Sequence, residues 1–374
     1  MKNISLKLRV FFAALLSIVI ITTACSSKAP VQQKQETKAQ KITVTDLVGR
    51  QVEVTVPANK VVGIWPGALR LITYVDGVKK LAGVENIDIK PADGRTYNMA
   101  YRDELSKLPV IGQGGPDSAP DPEKLVEVKP DVIFAAYADK AKADDLQTKT
   151  GIPVVVISYG KLATFDEDVY KSINLIGKIT GEETRAHEVV DYIKNCQKDL
   201  NDRTKGIPND KKPTVYVGAL GMKGMHGIES TQGNYPPFKN INAKNVVDET
   251  GQKGSVMIDR EKLLSWNPDV IFIDEGGLPL VKQDYQKDPK FYQSLKAVKD
   301  GHVYGLLPYN NYTTNIDTAI ADSYYAGKVL YPEQFKDIDP AKKADEVYKF
   351  FYGKPLYDKM VELYGGFKQI TLGS

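Results

Sequence analysis

Cysteine, histidine and tryptophan are scarce in this 374-residue chain. It holds two cysteines (Cys25 and Cys196), three histidines (His187, His226 and His302) and two tryptophans (Trp65 and Trp266). Two cysteines cannot build a disulfide framework. Three dispersed histidines argue against a multi-histidine metal cage. Charge of one sign is also missing: 50 basic residues face 47 acidic ones, for a net charge of +3. Nucleic-acid binding usually needs a concentrated basic face, so no such partner is expected. No Gly-x-Ser-x-Gly elbow, phosphate loop or His-Glu-x-x-His motif occurs, and no enzyme activity is expected. What is plentiful is tyrosine, at 21 residues, and length enough for two domains with a core each.

The chain opens with Lys2, Lys7 and Arg9, then an apolar run from Val10 to Ile21, then Thr22-Thr23-Ala24-Cys25. That order reads as a secretion signal over residues 1–24. The run is too short to remain as a helix across a bilayer core of about 30 Å. A cysteine straight after small residues resembles a bacterial lipobox, so Cys25 is the expected lipidation site. Residues 25–40 are rich in Lys, Gln, Ser, Ala and Pro. They cannot bury enough apolar surface to order themselves and read as a flexible tether. The expected location is the extracytoplasmic face of the cell membrane, held by lipid.

An internal repeat organises the rest. Asp121 to Phe134 aligns without gaps to Asp259 to Phe272, with nine of fourteen residues identical at an offset of 138. An offset of that size points to a duplicated domain rather than a solenoid. In each copy an aspartate can cap a short helix. A proline, Pro130 or Pro268, then stops it, and Asp-Val-Ile-Phe begins a fully apolar strand suited to a buried parallel sheet. Further strands are expected at Val61–Trp65, Val154–Ser158, Val215–Ala219 and His302–Leu306, with helices between them. The expected fold is α/β: two Rossmann-like lobes with mainly parallel sheets, residues 41–164 and 206–374. Residues 165–205 carry apolar positions at helical spacing, with Gly177 and Gly181 marking a break, and read as the long interlobe helix. Such a stiff connection implies a small hinge motion.

Several segments carry a family likeness. Ile42 to Arg50, followed by Val52, Val54 and Pro57, is similar to an opening hairpin. Leu81-Ala82-Gly83-Val84, Leu108 to Gly112, the paired Pro-Asp-Val-Ile-Phe segments and Ile176 to Gly181 follow in matching order. Together they resemble the solute-binding lipoproteins of ABC importers for iron-siderophores, haem and cobalamin, the helical-backbone class III periplasmic binding proteins. The resemblance covers about residues 42–352. It implies a monomer with one shallow cleft between its lobes, no intrinsic cofactor, and a partner permease dimer with its ATPase. It also implies permease docking through an acid on each lobe, here Glu104 and Glu249.

In two-lobed α/β proteins ligands sit beyond the carboxyl ends of the strands. After the first strand stand Trp65, which core packing would also explain, and Arg70, which can fork onto an anion or pair with a surface acid. Asp93 to Arg102 reads as a polar, aromatic loop offering Arg95, Tyr97 and Tyr101. Gly112 to Pro120 is a second loop with free amides. In the second lobe the glycine-rich stretch Gly221 to Phe238 holds His226, Glu229 and Tyr235. His226 is the one candidate to touch a metal. Leu307 to Asn315 supplies Tyr309, Asn311 and Tyr312, with Thr314 or Asn315 able to cap the helix that follows. Neutral donors, cations and one histidine suit an anionic, metal-containing ligand. Among such ligands the family resemblance puts a siderophore-type ferric chelate first. Molybdate or tungstate is an alternative, then cobalamin or haem, disfavoured by the shortage of tryptophan. A surface adhesin is the reading outside transport.

Overall fold

The computed structural model describes residues 39–373, apart from 91–93, 116, 162–163 and 222–223. The signal segment, Cys25 and all but the last residues of the tether lie outside the described residues.

Alternating apolar and polar residues form an antiparallel hairpin, β1 (Gln40–Thr45) with β2 (Gln51–Val56). Arg50 pins its turn to the first lobe, bonding Asp46, Asp144 and the Val154 carbonyl. The first lobe's sheet is parallel, ordered β3 (Val61–Ile64), β4 (Val132–Ala136), β5 (Val154–Ile157). Every residue of these strands is buried, as all-apolar strands covered on both faces require. The second lobe has β6 (Thr214–Gly218), β7 (Ser230–Gly233), β8 (Lys244–Asn245), β9 (Gly254–Met257), β10 (Val270–Asp274) and β11 (Val303–Leu306). Its parallel sheet runs β11-β10-β6-β8, and β7 pairs antiparallel with β9. The architecture is the expected one, two α/β lobes with mainly parallel sheets.

The repeat is two copies of one local solution. Asp121 caps the helix Pro122–Val128 by accepting the Lys124 amide at 3.2 Å, and Asp259 caps Arg260–Trp266 through the Lys262 amide at 2.7 Å. Leu125 and Leu263 are the buried residues of those helices. Lys129 and Asn267 each turn left-handed ahead of the proline. Replacing Asp121 or Asp259 with alanine should therefore cost the same in both lobes, about 1 kcal/mol, read as the fall in unfolding free energy in urea. A fourfold difference between the two would show that the copies are not equivalent.

The stretch between the sheets is two helices, Glu167–Thr180 and Glu183–Thr204, with left-handed Gly181 capping the first. The second runs 22 residues, about 33 Å at 1.5 Å per residue. One apolar cluster takes in Val61 and Phe134 of the first sheet, Ile173 and Val189 of these helices, and Val215 and Phe272 of the second sheet. The helix Ile316–Leu330 is buried almost all round, including Asp317, Thr318, Asp322 and Ser323. The helix Pro340–Tyr352, beyond the second sheet in sequence, returns to the first lobe, where Phe351 meets Tyr74 at 4.5 Å between ring centroids. Wide separation of the lobes would break this shared core, at about 25 cal/mol per Å2 of apolar surface exposed.

Residues 96–105 depart from the sequence reading. They form a helix, Thr96–Leu105, where a loop was expected. Its interior lacks glycine and proline, and Tyr97, Ala100 and Leu105 bury against the lobe. Tertiary packing thus decides a segment of weak local preference.

Candidate functional site

The C-terminal ends of β3, β4, β6, β10 and β11 open on a cleft of about 1400 Å3 with walls from both lobes. Trp65 follows β3, Tyr137 follows β4, Gly221, Gly224 and Met225 follow β6, and Pro308 and Asn310 to Thr313 follow β11. Trp65, Tyr137, Tyr312 and Thr313 line it with left-handed backbones at φ of 67°, 56°, 54° and 66°. Bulky non-glycine residues adopt that conformation at a cost and persist in it where surrounding contacts enforce it. Three large apolar side chains stand open at the cleft: Tyr137 (58% exposed), Met225 (61%) and Leu363 (44%). They come from three separate segments and give the cleft an open apolar surface. Cations enter from Lys142 and Lys149 on the helix Lys140–Thr150, and from Arg95. Lys149 is engaged with Asp145 at 2.7 Å.

Of the eleven expected ligand-binding residues, four line the cleft: Trp65, Arg95, Asn311 and Tyr312. Arg95 is nearly buried, gives Nη2 to the Ile87 carbonyl at 2.7 Å, lies 5.7 Å from the Tyr312 ring centroid, and has no partner for its buried Nε. Arg70 lies behind the wall rather than on it. It is fully buried and donates to the carbonyls of Asn311 at 2.9 Å and Tyr312 at 3.2 Å, so it is neither a surface ion pair nor open to a ligand. Its guanidinium also lies over Tyr97, whose hydroxyl donates to Asp88 at 2.5 Å. Tyr235 and Tyr309 are core residues 5.7 Å apart, and Tyr101 packs against Tyr352, away from the cleft lining. Glu229 is held by Arg260 at 2.9 Å. The glycine-rich loop reaches the cleft through Gly221, Gly224 and Met225, and His226 is not among the lining residues. No group of three His, Cys, Asp or Glu converges as a metal cage among the described residues.

Asn315 stands at the start of the Ile316 helix but makes no side-chain cap. Its amide donates instead to Gly94 of the other lobe at 2.9 Å and to the Tyr309 carbonyl at 3.1 Å. Of the two acids named for docking, Glu104 is 3.9 Å from Lys354, while Glu249 bonds Lys262 at 2.8 Å and the Trp266 indole.

Sequence reasoning missed Glu85, Tyr137, Lys142 and Asp274. Two of these had a signal in the repeat itself, because Tyr137 and Asp274 stand at the ends of the two duplicated strands, where a ligand contact is expected. Glu85 and Lys142 had none, lying in a turn and on a charged helix. Burial, with the Asp88 carboxylate nearby, pushes the Glu85 carboxyl up to about 7, against the pull of bonds from Tyr312 and Trp65. Burial alone drives Asp274 up to about 7, opposed by the Gly276 amide. Glu275, behind it, is likewise raised by burial to about 8.

Comparison with known proteins agrees with this geometry. Residues 71–309 match the family described as periplasmic binding protein. The chain is 26% identical to the uncharacterized ABC transporter substrate-binding lipoprotein YvrC of Bacillus subtilis, over 87% of this chain and 98% of that one. It is 26% identical to the iron-uptake system-binding protein of the same organism, over 81% and 90% of the two chains. The solved structure of molybdate-bound MolA from Haemophilus influenzae shares the fold at a TM-score of 0.67 and 23% identity, over 84% and 98%. Its cleft at the strand ends and its match over most of the folded chain lead to one conclusion: this chain belongs to the periplasmic binding protein family, as a substrate-binding component of the ABC-transporter kind.

Proposed function

We propose that this protein captures an iron chelate outside the cytoplasmic membrane and hands it to an ABC permease and its ATPase. The carrying observation is the cleft's size and surface. About 1400 Å3, with Trp65, Tyr137, Met225 and Leu363 presented to it, suits a metal wrapped in an organic coat. Arg95 and Lys142 suit negative charge on that coat. A stripped ion would need a converging ligand set, which the described residues do not assemble. Molybdate is the second reading, favoured by the buried, unpartnered Nε of Arg95 and by the likeness to MolA. A four-oxygen anion would leave most of the cleft to water.

Membrane attachment through a lipid on Cys25 is part of this proposal, supported by the sequence around it and by lipoproteins among its relatives. An unmodified thiol at Cys25 in the mass spectrum of protein from its host would end that part. Permease docking through Glu104 and Glu249 is proposed with it, and transport that survives reversal of both charges would remove the pair.

Native mass spectrometry with elemental analysis of protein purified from its host tests the ligand. An iron-bearing organic adduct is the expected result. Molybdenum at the mass of an oxyanion would favour the second reading. Tyr/Trp fluorescence unmoved by either class would leave the adhesin reading. Tyr137→Ala should raise the Kd for the adduct about tenfold, equivalent to about 1.4 kcal/mol.

A further inference from the structure

The second lobe reaches across the cleft with four residues, Asn310 to Thr313, and one first-lobe side chain holds them at their centre. Glu85 is 4% exposed, and its Oε2 accepts the Tyr312 hydroxyl at 2.8 Å and the Trp65 amide at 3.1 Å. The same Tyr312 hydroxyl accepts the Gly115 amide at 2.9 Å. Arg70 grips the strap's carbonyls from below, and Tyr137 bonds Thr313 at its far end. Gly114 leaves Glu85 its room: a Cβ there would come within 2.8 Å of the Glu85 Cβ.

We propose that Glu85 is a positioning residue that sets the opening of the cleft by clamping the Asn310–Thr313 strap to the first lobe, and that its charge state sets how firmly the strap is held. The inference rests on the ligand-capture reading for its purpose, though the clamp itself needs no ligand. Both bonds to Glu85 come from donors, so a carboxylate accepts them more strongly than a carboxylic acid does. Burial nevertheless outweighs those bonds and holds the Glu85 carboxyl up at about 7, so protonation favours the held, water-excluded strap and ionisation slackens it. The charged and titratable groups around Glu85 are Asp88, buried on the same turn, Arg95 beside Asp88 and over the Tyr312 ring, and Tyr312 itself. Asp88 opposes the Glu85 charge, and burial pushes Asp88 up to about 6, so the two carboxyls titrate in neighbouring ranges.

Two measurements on the full chain decide it. Trp65 donates its main-chain amide to Glu85, so Trp65 emission in a Trp266→Phe background should shift between pH 6 and pH 8, with the component near pH 7 lost in Glu85→Gln. Spin labels at Thr148→Cys and Lys290→Cys span the lobes. Their distance distribution should broaden in Glu85→Ala but not in Glu85→Gln, whose amide oxygen can still accept both bonds. An inflection near pH 7 that persists unchanged in Glu85→Gln would overturn the assignment. So would equal distributions in all three proteins. With a ferric trihydroxamate as probe, Glu85→Ala should weaken binding at least tenfold at pH 6, and Glu85→Gln less than threefold. A probe that binds with equal strength to all three overturns the clamp, whereas a wild-type chain that binds no ferric chelate strikes at the capture reading and leaves the emission and distance results standing.

Discussion

Replacing Arg70 with methionine should destabilise the protein by about 3–5 kcal/mol and weaken ligand capture at least tenfold, although Arg70 does not line the cleft. The guanidinium is fully buried and satisfies two carbonyls of the opposite lobe, those of Asn311 and Tyr312. Leaving a buried carbonyl without a donor costs about 1–3 kcal/mol each, and Tyr159 and Tyr97 would lose their contact with the guanidinium as well. Arg70→Lys should not restore the loss. An ammonium is a point charge on a flexible stem, and it lacks the rigid fork that spans two carbonyls. Urea unfolding and ligand titration of both variants check this. An Arg70→Lys protein within 1 kcal/mol of the parent would show that charge rather than the fork is what the strap requires.

Stability should fall as pH rises from about 4 to about 8. Asp274 and Glu275 titrate in the folded protein at about 7 and about 8, both raised first by burial. Asp322, buried beside them, moves in the same direction. The sign follows from proton counting. Between the ordinary carboxyl range and the raised values the folded chain holds more protons than the unfolded chain, so unfolding releases them and becomes easier with rising pH. For Asp274 alone the loss approaches about 4 kcal/mol once pH exceeds 7. Below pH 4 the trend reverses, because Asp269 and Asp337 are held near 2. Asp269 is held there by Lys296 and Thr214 against its burial, and Asp337 chiefly by Arg203. Asp274→Asn keeps an oxygen for the Gly276 amide and cannot ionise. It should raise the unfolding free energy at pH 8 by about 2–4 kcal/mol and change it little at pH 5. Equal effects at the two pH values would show that Asp274 is ionised in the fold throughout.

Much of the fold was legible because it is written in local patterns. The apolar strands at Val61, Val132, Val154, Val215, Val270 and Val303 need no distant information: a strand covered on both faces must be apolar throughout. The duplicated cap, helix, proline and strand could be read twice, which turned a weak pattern into a strong one. The cleft's place at the strand ends followed from topology. Its individual residues were harder. Tyr309 and Tyr312 stand three apart in one loop, yet one packs into the core against Tyr235 and the other crosses to Glu85. Composition cannot separate them, since both are tyrosines beside asparagines. Arg70 likewise looked like a ligand contact because a cation follows the first strand, and only the return of the Asn311–Tyr312 backbone explains its burial.

The sequence by itself determined the strands, the repeat and the two-lobed α/β plan, because each depends on neighbours in the chain. Tertiary structure alone decided which side chains face the cleft and which hold its walls. That choice depends on how segments more than two hundred residues apart, Glu85 and Tyr312 among them, meet across the lobes. A buried polar group takes whatever partner the fold brings within reach, and its desolvation makes that partner obligatory.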